Sequence, residues 1–456
     1  MKTCSAPRMG LVVLVCAFFA CASFAQQSSG AGQKPGTEMP SVTTVPPEAQ
    51  PSDHFNAEAA TNAYLAQIPA SARAKSDAYF EGGYWLIFWD FLYGVVLYLI
   101  LLKFGASAGM RNAAERITRF KPLQTFIYWV EFLIVSTILA FPLTVYEGYF
   151  REHKYGLATQ TFGPWMVDQF KFLAINAILG GLLAMLLVGI VRKLPNTWHI
   201  WGAIATLVFS ALIVLIAPVY LVPLLNTPKI LENPKITQPV LRLARANGIP
   251  AHDVYEIDAS KQTTRMSANV SGFGSTMRIT MNDNLINRGS KEEIESVMGH
   301  EMGHYVLNHI YKDFMFIALV TIVFFTFLKW ALDWSLARWG EGWQVRGVTD
   351  VAVIPLVFLV GSLFFFVLTP IQNTQTRTSE YEADMYGLNA SRQPDGFAQA
   401  AIHLGEYRKM SPGPMEEFVF YDHPSGRNRI YAAMRWKAEN LQLFAQPAPA
   451  ASQPAK

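Results

Sequence analysis

Six blocks of the chain, 84–104, 126–146, 172–191, 200–224, 314–332 and 351–371, are apolar nearly throughout. Each is about twenty residues long, the length a helix needs to cross the hydrocarbon of a bilayer. Between the fourth and fifth blocks the pattern changes. Positions 236–246 carry apolar residues at helical spacing and stop at Asn247-Gly248, ahead of Pro250, which marks a helix and its end. The β-branched runs 254–257 and 278–281, separated by glycine-containing sequence, predict two strands. Ser290-Lys291-Glu292-Glu293 is a capping box, in which serine and glutamate satisfy each other's free amides, so a helix begins there. That helix runs almost directly into the fifth block at Phe314. The expected architecture is mainly α: a polytopic membrane protein with a small α+β region between its fourth and fifth spans.

Asp90, Glu131 and Asn176 fall inside the blocks. Such groups are costly in lipid, so they either pair between helices or border an internal polar cavity. Trp85, Trp89 and Trp129, near span ends, suit an aromatic belt. The first loop carries Lys103, Arg111, Arg116, Arg119 and Lys121 against Glu115, whereas the next, 147–171, is balanced. The positive-inside rule then places the first loop in the cytoplasm. Counting crossings puts 226–313 and 373–456 on the opposite side, the periplasm if the host is Gram-negative and the span membrane its inner one.

Composition agrees with membrane residence, being 51% hydrophobic and 16% charged, and a scattered net charge of +3 gives no reason to expect a nucleic-acid partner. Lys2 and Arg8 precede an apolar run, 11–22, and Ser23-Phe24-Ala25, so 1–25 reads as an export signal or a retained signal anchor. Segment 26–53, rich in Pro, Ser, Gly and Gln, reads as a disordered tether, and 446–456 as a disordered tail. The chain thus divides into a four-span region 54–225, an α+β region 226–313, a membrane hairpin 314–372 and C-terminal helices 373–445. All three cysteines, Cys4, Cys16 and Cys21, lie in the leader, leaving the remainder without a thiolate ligand or nucleophile.

The chemistry lies in the helix that follows the capping box, at His300-Glu301-Met302-Gly303-His304. Residues four apart on a helix sit about 40° apart around its axis and about 6 Å along it, so His300 and His304 can hold one zinc ion with Glu301 beside it as general base. A third histidine at metzincin spacing is absent, because Leu307 and Ile310 occupy the positions that class requires. His309, five residues on from His304, turns away on a continuous helix and reads as a surface or packing residue. The third ligand is expected from a later helix: Glu380, straight after the last block, with Asp384 one turn on as the acid that orients a ligand histidine. One zinc ion per chain is expected.

These residues resemble the type I CaaX prenyl proteases, integral-membrane zinc metallopeptidases of the gluzincin kind, over most of 84–433. The likeness rests on Phe141-Pro142 through Glu152, Tyr155-Gly156 and Trp165, on Ala217-Pro218-Val219-Tyr220 and Pro223-Leu224-Leu225-Asn226, and on 258–286 with Gly272 and Arg278. The two metal motifs and His423-Pro424 followed by Arg429 complete it. The resemblance implies a helical barrel around a water-filled chamber, glutamate as third ligand, and His423 and Arg429 as groups that stabilise the tetrahedral intermediate or position substrate. Where the family has Asn-Ala beside the substrate, this chain has Ser267-Ala268, with Asn269 two places after the serine.

The expected function is zinc-dependent hydrolysis of peptide bonds in membrane-associated proteins or peptides, at the lipid bilayer. An extended substrate is expected to add as a strand along 266–270. A family-typical substrate is a prenylated cysteine peptide, whereas the export-type leader points to envelope or membrane-protein quality control. The alternative is a non-catalytic membrane scaffold or chaperone with a structural zinc ion.

Overall fold

The computed structural model describes residues 44–217, 220, 227–272 and 277–444. The leader, tether residues 26–43, the 446–456 tail and parts of the 217–226 motif lie outside the described residues. After helix α1 (Ala57–Ala66) come α2 (Ala70–Lys103), α3 (Ala106–Ile117) and α4 (Lys121–Val145), which continues through a π-helical turn to Lys154. Helices α5 (Phe162–Lys193) and α6 (Trp198–Ile216) complete the N-terminal part. Among the described residues six helices are long and apolar enough to cross a membrane, and each contains one of the expected blocks or most of it. Five of the six are longer than their blocks, because a helix once nucleated continues into polar sequence until a breaker stops it.

Helix α7 (Pro234–Ala246) is capped by Asn233 and ends at Asn247-Gly248, as the spacing predicts. Strands β1 (Lys229–Ile230), β2 (Val254–Ile257), β3 (Ala268–Ser271) and β4 (Arg278–Asn282) form one sheet in the order β1-β2-β4-β3. β2 and β4 are parallel and the outer pairings antiparallel, so β3 is an edge strand. Ile236, Val240, Ile279, Met281, Ile294, Met298 and Met302 fill the space between sheet, α7 and the helix that follows. A short helix, α8 (Asp283–Arg288), leads to α9 (Lys291–Val306). The capping box is formed: Ser290 Oγ accepts from the Glu293 amide at 3.2 Å, and Glu293 Oε2 from the Ser290 amide at 2.6 Å.

α9 stops at Leu307, and Asn308 takes the left-handed conformation with φ of 58° before α10 (His309–Trp339) begins. Next comes α11 (Ile354–Ser391), then α12 (Pro394–Leu404), α13 (Pro414–Phe420) and α14 (Gly426–Glu439). Here the structure corrects an expectation. Glu380 does not belong to a helix after the last span; it lies on the same unbroken helix, which passes through position 373 and carries Pro370 in its interior.

Two further corrections follow from packing. Composition extends the tether to residue 53, yet Pro47–Ala49 form a 3-10 turn. Ala49 is fully buried, and its carbonyl accepts from Lys437 Nζ at 2.7 Å. Trp85 and Trp89 are exposed as a belt requires, but Trp129 is buried and donates from Nε1 to the Asn176 carbonyl. Its ring fills the contact between α4 and α5. Asn176 turns its side chain back to the Phe172 carbonyl of its own helix at 2.8 Å, and Asp90 is buried.

Candidate metal centre

α9 and α11 cross backbone to backbone. A Cβ on Gly387 would stand 2.7 Å from the His300 amide nitrogen, and one on Gly299 would stand 2.9 Å from the Gly387 carbonyl oxygen. Only hydrogen at these positions lets the helices approach so closely. The approach brings Glu380, about two turns before Gly387, over the two histidines.

The donor atoms of His300, His304 and Glu380 all lie within 4.8 Å of one another. His300 Nε2 is 3.1 Å from His304 Nε2 and 3.2 Å from Glu380 Oε2, and His304 Nε2 is 3.6 Å from Glu380 Oε1. A tetrahedral zinc ion with bonds of about 2.0–2.1 Å spaces its ligand atoms roughly 3.3 Å apart. The triangle therefore fits such an ion. Glu380 Oε2 and His423 Nε2 add to the fit: they are 3.2 Å apart, and both are buried without a hydrogen-bond partner among the described residues. Buried polar atoms left unsatisfied in a native fold call for an occupant, and a cation suits a carboxylate facing imidazoles.

Asp384 is 1% exposed and accepts from His300 Nδ1 at 2.7 Å. With that nitrogen protonated, the lone pair of His300 Nε2 points inward. Burial alone would depress His300, but the Asp384 and Glu380 carboxylates outweigh it and push the imidazole up to about 9. Burial drives His304 down to about 4. Glu301 is buried on α9 between them.

Arg429, on α14, is engaged by Asp384. Its Nε and Nη2 reach Asp384 Oδ2 and Oδ1 at 2.8 and 2.5 Å, a two-pronged ion pair. His423, in the loop between α13 and α14, does reach the site. Its Nδ1 lies 2.8 Å from Asp422 Oδ1, with Arg408 Nη2 at 3.3 Å. Burial would raise the Asp422 carboxyl, but His423 and Arg408 hold it well below the usual carboxylate range.

His309 corrects the sequence reading. Five residues at about 100° each would turn it some 140° away from His304 on a continuous helix, but the left-handed Asn308 breaks that helix. His309 is consequently 2% exposed, with Nδ1 2.9 Å from His304 Nδ1 and Nε2 3.0 Å from Glu382 Oε2. Arg408, Asp422 and Glu382 also escaped the sequence reading, since nothing in their local spacing links them to the site. Asn308 was the available signal, because asparagine tolerates the left-handed conformation better than most residues.

Ser267 precedes the edge strand, and its amide donates to Asn282 Oδ1 at 3.0 Å. Ala268 and Asn269 pair with Met281 and Thr280 of β4.

Comparison with known proteins places this geometry. A family model described as peptidase family M48 matches residues 231–437, which contain every side chain of the cluster. The model described as CAAX prenyl protease N-terminal, five membrane helices, matches 54–227. The chain belongs to the CAAX prenyl protease family. It is 28% identical over 339 residues to the uncharacterized metalloprotease YhfN of Bacillus subtilis, covering 74% of this chain and 79% of that one. CAAX prenyl protease 1 of Saccharomyces cerevisiae is 28% identical over 318 residues, 65% of this chain and 69% of that one. The fold is that of the crystal structure of S. mikatae Ste24p, with a TM-score of 0.69 at 24% identity over 81% of this chain and 89% of that chain. Family and spans together make the chain a multi-pass membrane metalloendopeptidase, acting on peptides with the help of a metal.

Proposed function

We propose that this protease holds one zinc ion per chain through His300, His304 and Glu380 and cleaves membrane-associated proteins or peptides at the bilayer surface. The observation that carries the reading is the triangle of 3.1, 3.2 and 3.6 Å between donor atoms on two helices locked together by glycine. When bound, zinc supplies Lewis acidity and a nucleophile at neutral pH. Glu301 takes the proton released as water attacks the scissile carbonyl and returns it to the leaving amine. His423, held at Nδ1 by Asp422, turns Nε2 toward the cluster, where it stabilises the tetrahedral intermediate or positions the substrate. Asp384 fixes the His300 ring, and Arg429 fixes Asp384. The free edge of β3 offers backbone amides and carbonyls to an extended substrate over Ser267, Ala268 and Asn269, a mode that holds a peptide with little dependence on its sequence.

Loop charge favours a catalytic side facing the periplasm from a bacterial inner membrane, and with it a task in envelope or membrane-protein quality control. Prenyl-peptide cleavage is then a capacity retained from the family. Glu301→Gln tests the chemistry: the variant is expected to bind zinc one to one and to lose cleavage of a generic peptide by about 10²–10⁴-fold, the usual contribution of a general base. Undiminished turnover, or wild-type protein without stoichiometric zinc, refutes the assignment.

A further inference from the structure

Two ligand imidazoles must both present Nε2 lone pairs to one ion, and the chain orients them by different means. His300 leans directly on Asp384. Among the described residues His304 Nδ1 meets no carboxylate; it meets another histidine. We infer that His309 and Glu382 are positioning residues that set the tautomer and ring orientation of His304, an inference that rests on the metal-site reading above.

The proton arrangement follows from the partners. Ionised Glu382 only accepts, so His309 Nε2, 3.0 Å from Glu382 Oε2, carries a hydrogen and donates it. In neutral His309 the other nitrogen, Nδ1, is then an acceptor. It sits 2.9 Å from His304 Nδ1, which therefore donates, leaving the lone pair of His304 Nε2 aimed at His300 and Glu380. Lys312 Nζ holds the outer end, 2.6 Å from Glu382 Oε2. Burial supports the order of the chain: His309 is 2% exposed, whereas the Glu382 and Lys312 side chains are 42% and 48% exposed. A buried imidazole thus links a solvated ion pair on the rim to a ligand inside. It also ties α10 and α11 to the end of α9, which the break at Asn308 makes possible.

Removing an outer partner of a ligand histidine costs about 10–100-fold in metal affinity. Full-length protein purified in detergent, titrated with zinc against a competing chelator, is the assay, with the visible spectrum of the cobalt-substituted protein as a second reading. His309→Ala is expected to weaken zinc binding 10–100-fold and to alter the cobalt spectrum. His309→Gln, whose amide oxygen can accept from His304 Nδ1, is expected to recover most of that loss. Glu382→Ala alters a half-exposed side chain, so it should leave the unfolding midpoint unchanged while still weakening zinc.

Wild-type protein that binds one zinc while His309→Ala binds it equally well overturns the inference and leaves the metal site standing. Loss in His309→Ala without recovery in His309→Gln, or without any effect of Glu382→Ala, also overturns it. Wild-type protein that takes up no zinc overturns the metal reading and this inference with it.

Discussion

Asp384 performs two tasks that a double substitution can separate. It holds His300 Nδ1 at 2.7 Å and neutralises Arg429 through two contacts of 2.8 and 2.5 Å, at 1% exposure. Asp384→Ala removes the orienting acceptor, which predicts zinc binding about 10–100-fold weaker, roughly 1.4–2.7 kcal/mol. It also strands a guanidinium that is 7% exposed, and an uncompensated buried charge costs about 3–5 kcal/mol of stability. Adding Arg429→Met removes the stranded charge and leaves an apolar chain against Phe397, over whose ring Arg429 now sits at 5.2 Å. The double variant should therefore regain most of its unfolding stability while zinc binding stays weak. Thermal unfolding in detergent and chelator competition read the two quantities separately. Recovery of both would show that Asp384 acts on the metal only through general stability. Unaltered zinc affinity in Asp384→Ala would refute the orienting role outright.

Gly387→Ala should push α11 off α9, because the added methyl meets the His300 backbone at 2.7–2.9 Å. Overpacking of this kind costs about 1–3 kcal/mol, and here it should appear as weaker zinc binding and slower peptide cleavage together; a variant with native affinity would mean the crossing does not set the donor spacing. His403 Nδ1 lies 2.8 Å from Glu293 Oε1, which raises the imidazole above its usual value against partial burial. A raised histidine stabilises the fold fully below the unfolded value of about 6.5 and loses that contribution as pH climbs through the folded value. The unfolding midpoint should fall over that window in the wild type more steeply than in His403→Gln, and parallel curves would remove His403 from the account.

The six spans were legible because lipid demands unbroken apolar length, and the start of α9 because a capping box is local chemistry. His300, His304 and Glu380 were legible as residue types, and the structure gathers them into one cluster. What escaped depended on contacts far apart in the chain or on a single backbone torsion. Arg429 and Asp384 are forty-five residues apart, and no spacing rule says that an arginine will spend two donors on one acid. Helix periodicity places His309 only as far as it reaches, and it ends at Asn308 with the left-handed φ. Pro-rich composition speaks for disorder only until a carbonyl such as that of Ala49 finds a buried lysine.

Because Gly299 and Gly387 let two main chains touch, the distance between the imidazoles and the acid is set by covalent framework more than by side-chain choice. A zinc finger, by contrast, collapses when its ion leaves. A donor spacing set by the helix crossing predicts instead that chelation idles the machine without dismantling it. Which divalent ion occupies the cradle then falls to ligand softness and cellular supply, and remetallation alone is expected to restore proteolysis.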